Sequence, residues 1–105
     1  MSAKVSGSAV VEDFKQMLDA LSEESLRMHA TRLLLDMTKV QEHLKFMEHI
    51  VVSDNAVSRL GHLERVASLV AEGRKKGTSE QAARLRGMAL RVFTLRDEAV
   101  DWLEA

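Results

Sequence analysis

Cysteine and proline are both missing from the 105 residues, tyrosine is missing too, and aromatic residues make up only 4% of the chain. Without cysteine there can be no disulfide framework and no thiolate metal site. Without proline the strongest helix breaker is gone. A core short of aromatics must be filled by Leu, Val, Ala and the six Met residues. Excess charge of one sign is also lacking. The formal net charge is -1, so nothing draws the chain as a whole toward nucleic acid or an acidic membrane. No apolar run approaches the ~20 residues needed to span a bilayer. Met1 to Ser8 is small and polar with a single Lys, unlike the apolar stretch of a secretory leader. These absences lead to the expectation of a cytoplasmic protein without disulfides.

What is present is globular in character, with 46% hydrophobic and 30% charged residues. The length suits one domain. The most conspicuous pattern is a run of apolar residues spaced alternately four and three apart: Leu26, Ala30, Leu33, Met37, Val40, Leu44, Met47 and Val51. That is the spacing of a heptad seam, and neither Gly nor Pro interrupts it between Glu23 and Val52. The pattern predicts one long helix. Shorter helices are expected on either side. The first covers Ala9 to Leu21, capped by Ser8 and seamed by Val10, Phe14, Met17 and Leu21. Ser22 then caps the long helix, with Glu23 and Glu24 in its first turn. Ser53-Asp54-Asn55 reads as a turn. A third helix carries Ala56, Leu60, Leu63, Ala67 and Val70 and ends in the basic stretch Gly73 to Gly77. Thr78 and Gln81 form a capping-box pattern before a fourth helix with Leu85, Met88, Val92, Leu95, Ala99 and Trp102.

The fold class that follows is all-α: a small bundle of about four helices around one long central helix. Residues 1–8 are expected to be a flexible tail and 9–105 a single helical domain. At ~1.5 Å per residue the long helix would reach roughly 45 Å, more than twice the first. Its overhanging apolar stripe would face water, and exposing several Leu, Met and Val side chains forfeits several kcal/mol at ~25 cal/mol per Å². A homodimer that covers the stripe is the simplest remedy.

The four His residues, His29, His43, His49 and His62, offer the main prospect of chemistry. No His lies three or four residues from a second His or a carboxylate in a way that builds a two-ligand platform on one helix face. Histidine phosphotransfer domains are bundles of similar size, with a Lys three residues after the His and a Gly four after it. Here His29 is followed at those positions by Arg32 and Leu33, His43 by Phe46 and Met47, His49 by Val52 and Ser53, and His62 by Arg65 and Val66. None carries the motif. The stretch Gly73 to Ser79 also fails as a phosphate loop, because its Lys is misplaced and no strand precedes it. Carboxylate pairs such as Glu12 with Asp13 and Asp97 with Asp101 fall on solvated helix faces, and no carboxylate sits in an apolar run that would raise its pKa. The sequence therefore assigns no catalytic residue, no cofactor and no metal, and argues against an enzyme.

Gly61 and Gly87, inside expected helices, point to close helix crossings. The Met residues are read first as gap fillers and second as an adaptable groove. The functional expectation is a protein-interaction module: a regulator, antiactivator or chaperone that binds and masks a partner protein. The anchors expected for that partner are Phe93 and Trp102, rimmed by Arg86, Arg91 and Arg96. The alternatives are a phosphotransfer domain, marked by an exposed phosphorylatable His, and a bundle that binds an apolar ligand, marked by an internal cavity.

Overall fold

A computed structural model describes residues 1–71 and 87–105, with only the backbone of Glu42 and Phe46. The chain begins in a strand. β1 is Ser2–Ala9, so the expected flexible tail is an edge of a sheet. Ala3, Val5 and Ala9 turn inward, while Ser2, Lys4, Ser6 and Ser8 face water. That is the two-residue period of a half-buried strand, in a stretch too short on large side chains to announce itself. Helix α1, Val11–Arg27, follows. Its N-terminus is closed not by Ser8 but by Asp13, whose carboxylate accepts the Val10 N–H at 2.9 Å. Phe14, Leu18 and Leu21 are its buried face, close to the seam expected from their spacing. The helix runs through Ser22, which caps nothing, and Ser25 is fully buried. Arg27 pairs with Glu24 on its surface.

The long central helix does not exist. The eight residues of its seam are shared among α1, β2, α2 and the loops between them. Leu26 is exposed in the last turn of α1, and Ala30 lies in the loop that follows. Leu33, Met37 and Val40 belong to β2, Arg32–Glu42. Leu44 is in the next loop, and Met47 and Val51 are exposed on α2, Phe46–Leu60. What ends α1 is His29, which takes a left-handed backbone conformation at φ 54°. The Ala30 N–H returns to the Ser25 carbonyl at 2.9 Å and closes the helix end. This geometry normally calls for Gly, which here is absent. β2 then crosses the molecule with both faces covered. Leu33 and Leu35 pack with α1 and α2, and Leu34 packs on the opposite side. A strand buried on both faces reads as a continuous apolar run and loses the alternation that would identify it.

The expected third and fourth helices are corrected in the same way. Ser53-Asp54-Asn55 lies inside α2, which ends at Gly61. A Cβ there would stand 2.5 Å from the Val57 carbonyl oxygen, so the glycine serves a helix end rather than a helix crossing. Val66, Ala67 and Leu69 form β3, Arg65–Leu69. Gly87 has φ 82° and precedes β4, Leu90–Phe93. Among the described residues of the expected fourth helix, Arg96–Glu104 alone is helical, as α3. Residues 72–86 hold the expected basic turn, the Thr78 capping box and Arg86, and lie outside the described residues.

The result is an α/β fold. Among the described residues a parallel sheet in the order β1-β2-β3-β4 is flanked by three helices. Helices α1 and α2 cover one face, with Leu18, Leu21, Leu33, Leu35, Leu60 and Val66 as their core. α3 covers part of the other, over Leu34, Ala67, Leu69 and Phe93. Its last turn is held by Arg32 and Arg65, whose guanidinium groups donate to the Leu103 and Trp102 carbonyls. The argument for a homodimer rested on the overhang of the long helix and disappears with it. No helix among the described residues is long and apolar enough to cross a membrane.

One irregularity shapes β2. Lys4 pairs with Asp36, yet Ser6 pairs with Lys39, so Met37 and Thr38 together oppose Val5. This is a bulge of one extra residue. It reverses the facing of the strand: Leu33, Leu35 and Met37 point toward α1 and α2, and so does Val40, which joins Ala9 and Phe14. The bulge is tied by Asp36. Its Oδ1 accepts the Thr38 N–H at 3.0 Å and the Thr38 hydroxyl at 2.7 Å.

Candidate functional site

In an all-parallel sheet every strand ends on the same side, and ligands of such folds gather outside those carboxyl ends. Here that side shows large apolar residues to solvent. Val10, directly after β1, is 49% exposed; Met47, in the first turn of α2 after β2, is 65% exposed; Leu95, between β4 and α3, is 58% exposed. Val51 continues the exposed line along α2. Cationic and imidazole side chains accompany them, with Lys39, His43, Lys45 and Arg96 all exposed. The first turn of α2 is formed by local chemistry: the Glu48 carboxylate accepts the Lys45 N–H at 2.8 Å, a closure from within the helix. Met47 thus stands on a fixed helix end and not on a loose loop.

Asp36 lies just below this rim. Its carboxyl is held below the ordinary aspartate value, first by the Thr38 hydroxyl and then by the Thr38 N–H, with Lys4 and Arg96 adding favourable charge. The Arg96 guanidinium sits 3.6 Å from its second oxygen and connects the bulge to the start of α3. The group serves the fold as an anion, its charged form favoured by these neighbours.

The residues expected to anchor a partner divide. Phe93 is 8% exposed, packed in the α3 core and 5.8 Å from the Trp102 ring. Trp102 is half-buried. Arg91 is exposed and stacks on both rings, at 5.4 Å and 5.7 Å, while Arg65 lies 5.3 Å from Trp102. Arg91 and Arg96 remain at the surface, on the sheet and at the start of α3. The structure brings Phe93, Trp102 and Arg91 together as one stack. The spacing does not reveal the rim of Val10, Met47 and Leu95, because it places all three on helix seams, whereas the structure exposes them.

The histidines do not converge. His29 and His43 are exposed on loops, and His49 is half-buried on α2. His62 is exposed, and its Nε2 lies 2.8 Å from the buried Ser25 hydroxyl, which donates to the Ser22 carbonyl. The Ser25–His62 contact joins α1 to the end of α2; the fully buried serine has no open approach for a substrate. Among the described residues no three His, Asp or Glu side chains are placed to hold a metal ion. The phosphotransfer alternative also loses its basis in fold, since it required a helical bundle.

Between the sheet and helices α1 and α2 lies a cavity of about 120 Å³. Phe14, Met17, Leu35, Val52, Val66 and Leu90 are among its apolar lining. Among the described residues, the polar side chains that reach it are His49, Ser53 and Ser68. The Ser53 hydroxyl is satisfied by the His49 carbonyl at 2.9 Å. Of the Met residues, Met17, Met37 and Met88 line the cavity, whereas Met28 and Met47 are exposed.

Comparison with known proteins agrees with this architecture. A family model described as SpoIIAA-like matches residues 1–104. Among solved structures, the chain is similar to the crystal structure of an uncharacterised protein with a SpoIIAA-like fold from Shewanella loihica. The two share 24% sequence identity with a TM-score of 0.55, over 96% of this chain and 81% of the other. At that identity the likeness speaks for the fold alone. No curated protein matches the chain.

Proposed function

The chain belongs to the SpoIIAA-like family, and from that premise we propose that it is a small regulator that works by docking on another protein and masking part of its surface. Domains of this family often mediate protein–protein interaction. The observation that carries the reading is the exposed apolar rim at the carboxyl ends of the strands. Val10, Met47 and Leu95 come from three separate connections, yet all stand at the same end of the sheet. Large apolar groups held in water at helix starts gain free energy when a partner covers them. The Lys39, Lys45 and Arg96 charges around them would orient an acidic partner and form its polar rim.

The test is affinity capture from the source cell with two matched variants. Met47→Glu places a negative charge in the first turn of α2, where the helix dipole accepts it. Leu26→Lys places a positive charge in the last turn of α1, at the opposite end of the sheet, where the dipole also suits it. The expected outcome is loss of the captured protein with Met47→Glu and retention with Leu26→Lys, with both variants melting as the parent does. Retention by both moves the docking face elsewhere on the molecule.

A further inference from the structure

β1 leaves an open edge to the sheet. Among the described residues no strand lies beyond it, and α3 packs over β2, β3 and β4 but not over β1. At one end of β1 the Met1 amine donates to the Arg32 carbonyl and the Met1 carbonyl accepts the Leu34 N–H. At the other end the Ala9 carbonyl accepts the His43 N–H. By the alternation of a strand, the amides and carbonyls of Ser2, Lys4, Ser6 and Ser8 therefore point away from β2, off the edge. All four residues are exposed. Natural edges are blunted by short length, proline, bulges or charge. β1 is eight residues long and has no proline, and the extra residue of the bulge lies in β2. Its one charge, Lys4, already stands opposite Asp36 within the sheet.

We propose that this edge pairs with the same edge of a second copy, antiparallel about a two-fold axis at Val5, so that one sheet runs through a homodimer. Self-complementarity of the strand selects the occupant. In this register Ser2 faces Ser8 of the second copy and Lys4 faces Ser6, each twice by symmetry. Every outward amide and carbonyl of β1 then has a partner, and the two-fold closes the assembly without leaving a β1 edge for a third chain. On the face toward α1 and α2, Val5 meets Val5 and Ala3 meets Gly7. These small residues suit the close approach of non-hydrogen-bonded pairs, and Ala3 and Val5 already pack against the core there. Moving the axis to Lys4 sets like charges directly opposite each other, which is destabilising. Moving it to Ser6 carries the partner of Ser2 past the end of the strand. The edge is separate from the docking rim, which is built from the connections that follow β1, β2 and β4.

The chain has no cysteine, so a single introduced thiol reports the register. Val5→Cys brings two thiols face to face at the axis and is expected to oxidise to a covalent dimer. Ala3→Cys sets them four positions apart along the strands, about 13 Å, beyond the reach of a disulfide, and is expected to remain a single chain. Sedimentation equilibrium measures the strength of the pairing. The parent should approach twice the mass of one chain as concentration rises. Ser6→Lys opposes Lys4 twice and should weaken the dimer. Ser6→Glu opposes Lys4 twice with opposite charge and should tighten it by about two- to thirtyfold, the factor that two cross-strand ion pairs supply. A damaged fold does not produce that gain. The proposal is overturned if the parent stays monomeric up to millimolar concentration, which would leave the edge to a strand of another protein. It is equally overturned if Val5→Cys crosslinks no faster than Ala3→Cys, or if Ser6→Lys and Ser6→Glu shift the dimer alike.

Discussion

A single histidine decides where the first helix stops. His29 adopts a left-handed backbone at φ 54°, which a residue with a Cβ occupies at a cost of roughly 1–2 kcal/mol relative to glycine. Nothing in the composition marks the position, because the usual sign is a Gly and the residue here is one that sequence reading treats as a candidate ligand. His29→Gly is expected to raise stability by about 0.5–1 kcal/mol, after allowing for the greater freedom of glycine in the unfolded chain. Urea unfolding followed by the fluorescence of the only tryptophan, Trp102, measures it; a loss of stability would mean that the imidazole makes a contact worth more than the strain. Other residues were legible one by one. Phe14 and Leu21 are buried as their spacing implied, and Leu33 and Leu60 are almost fully enclosed. Hydrophobicity reveals which residues are inside even when it misplaces the element that carries them.

At the scale of elements the reading failed for a specific reason. The four-three spacing of Leu33, Met37 and Val40 is a strand imitating a helix. Four residues separate two positions on one face of a strand as well as of a helix. The following step of three, which strict alternation forbids, is supplied by the bulge at Met37 and Thr38. Leu34, buried on the far face, was the signal that could have opposed the helix, but three consecutive leucines satisfy either period. α1 was legible because only one of its faces is covered. The cavity was not, because its walls come from elements far apart in the chain. The bulge itself predicts a pH effect. Asp36→Ala leaves the Thr38 N–H without its acceptor and should cost on the order of 1–3 kcal/mol at neutral pH. Because the folded carboxyl is held below its ordinary value, this stabilisation is present above the ordinary aspartate pKa and fades as pH falls through the lower folded value. Denaturant midpoints of parent and variant should therefore converge in acid; a gap that stays constant down to acid pH would show that the charge of Asp36 contributes nothing.

For the whole molecule, an all-parallel sheet changes how the chain must fold. Each neighbouring strand pair waits for the intervening crossover, so contacts between distant parts of the sequence dominate. Refolding is expected in milliseconds to seconds and not in the microseconds open to a helical bundle. The chain has no proline, so no phase of tens of seconds from prolyl isomerisation should follow. Stopped-flow fluorescence of Trp102, which rests between Phe93, Arg65 and Arg91, reports both. A submillisecond reaction would contradict the topology, and a slow proline-like phase would need another cause. The docking rim and the cavity lie on opposite sides of this requirement: the rim is made by connections, the cavity by the sheet they join.

The extra residue in β2 also sets a rule for comparing this chain with its relatives. A relative without it would carry the same inward and outward pattern up to Asp36 and the reverse pattern beyond Lys39, unless one position is skipped between them. An ungapped alignment through that segment would equate Val40, which faces the core, with a residue on the other surface, and every equivalence from there to the end of the strand would exchange interior for exterior. Where the gap is placed therefore determines which surface residues two proteins of this fold are judged to share.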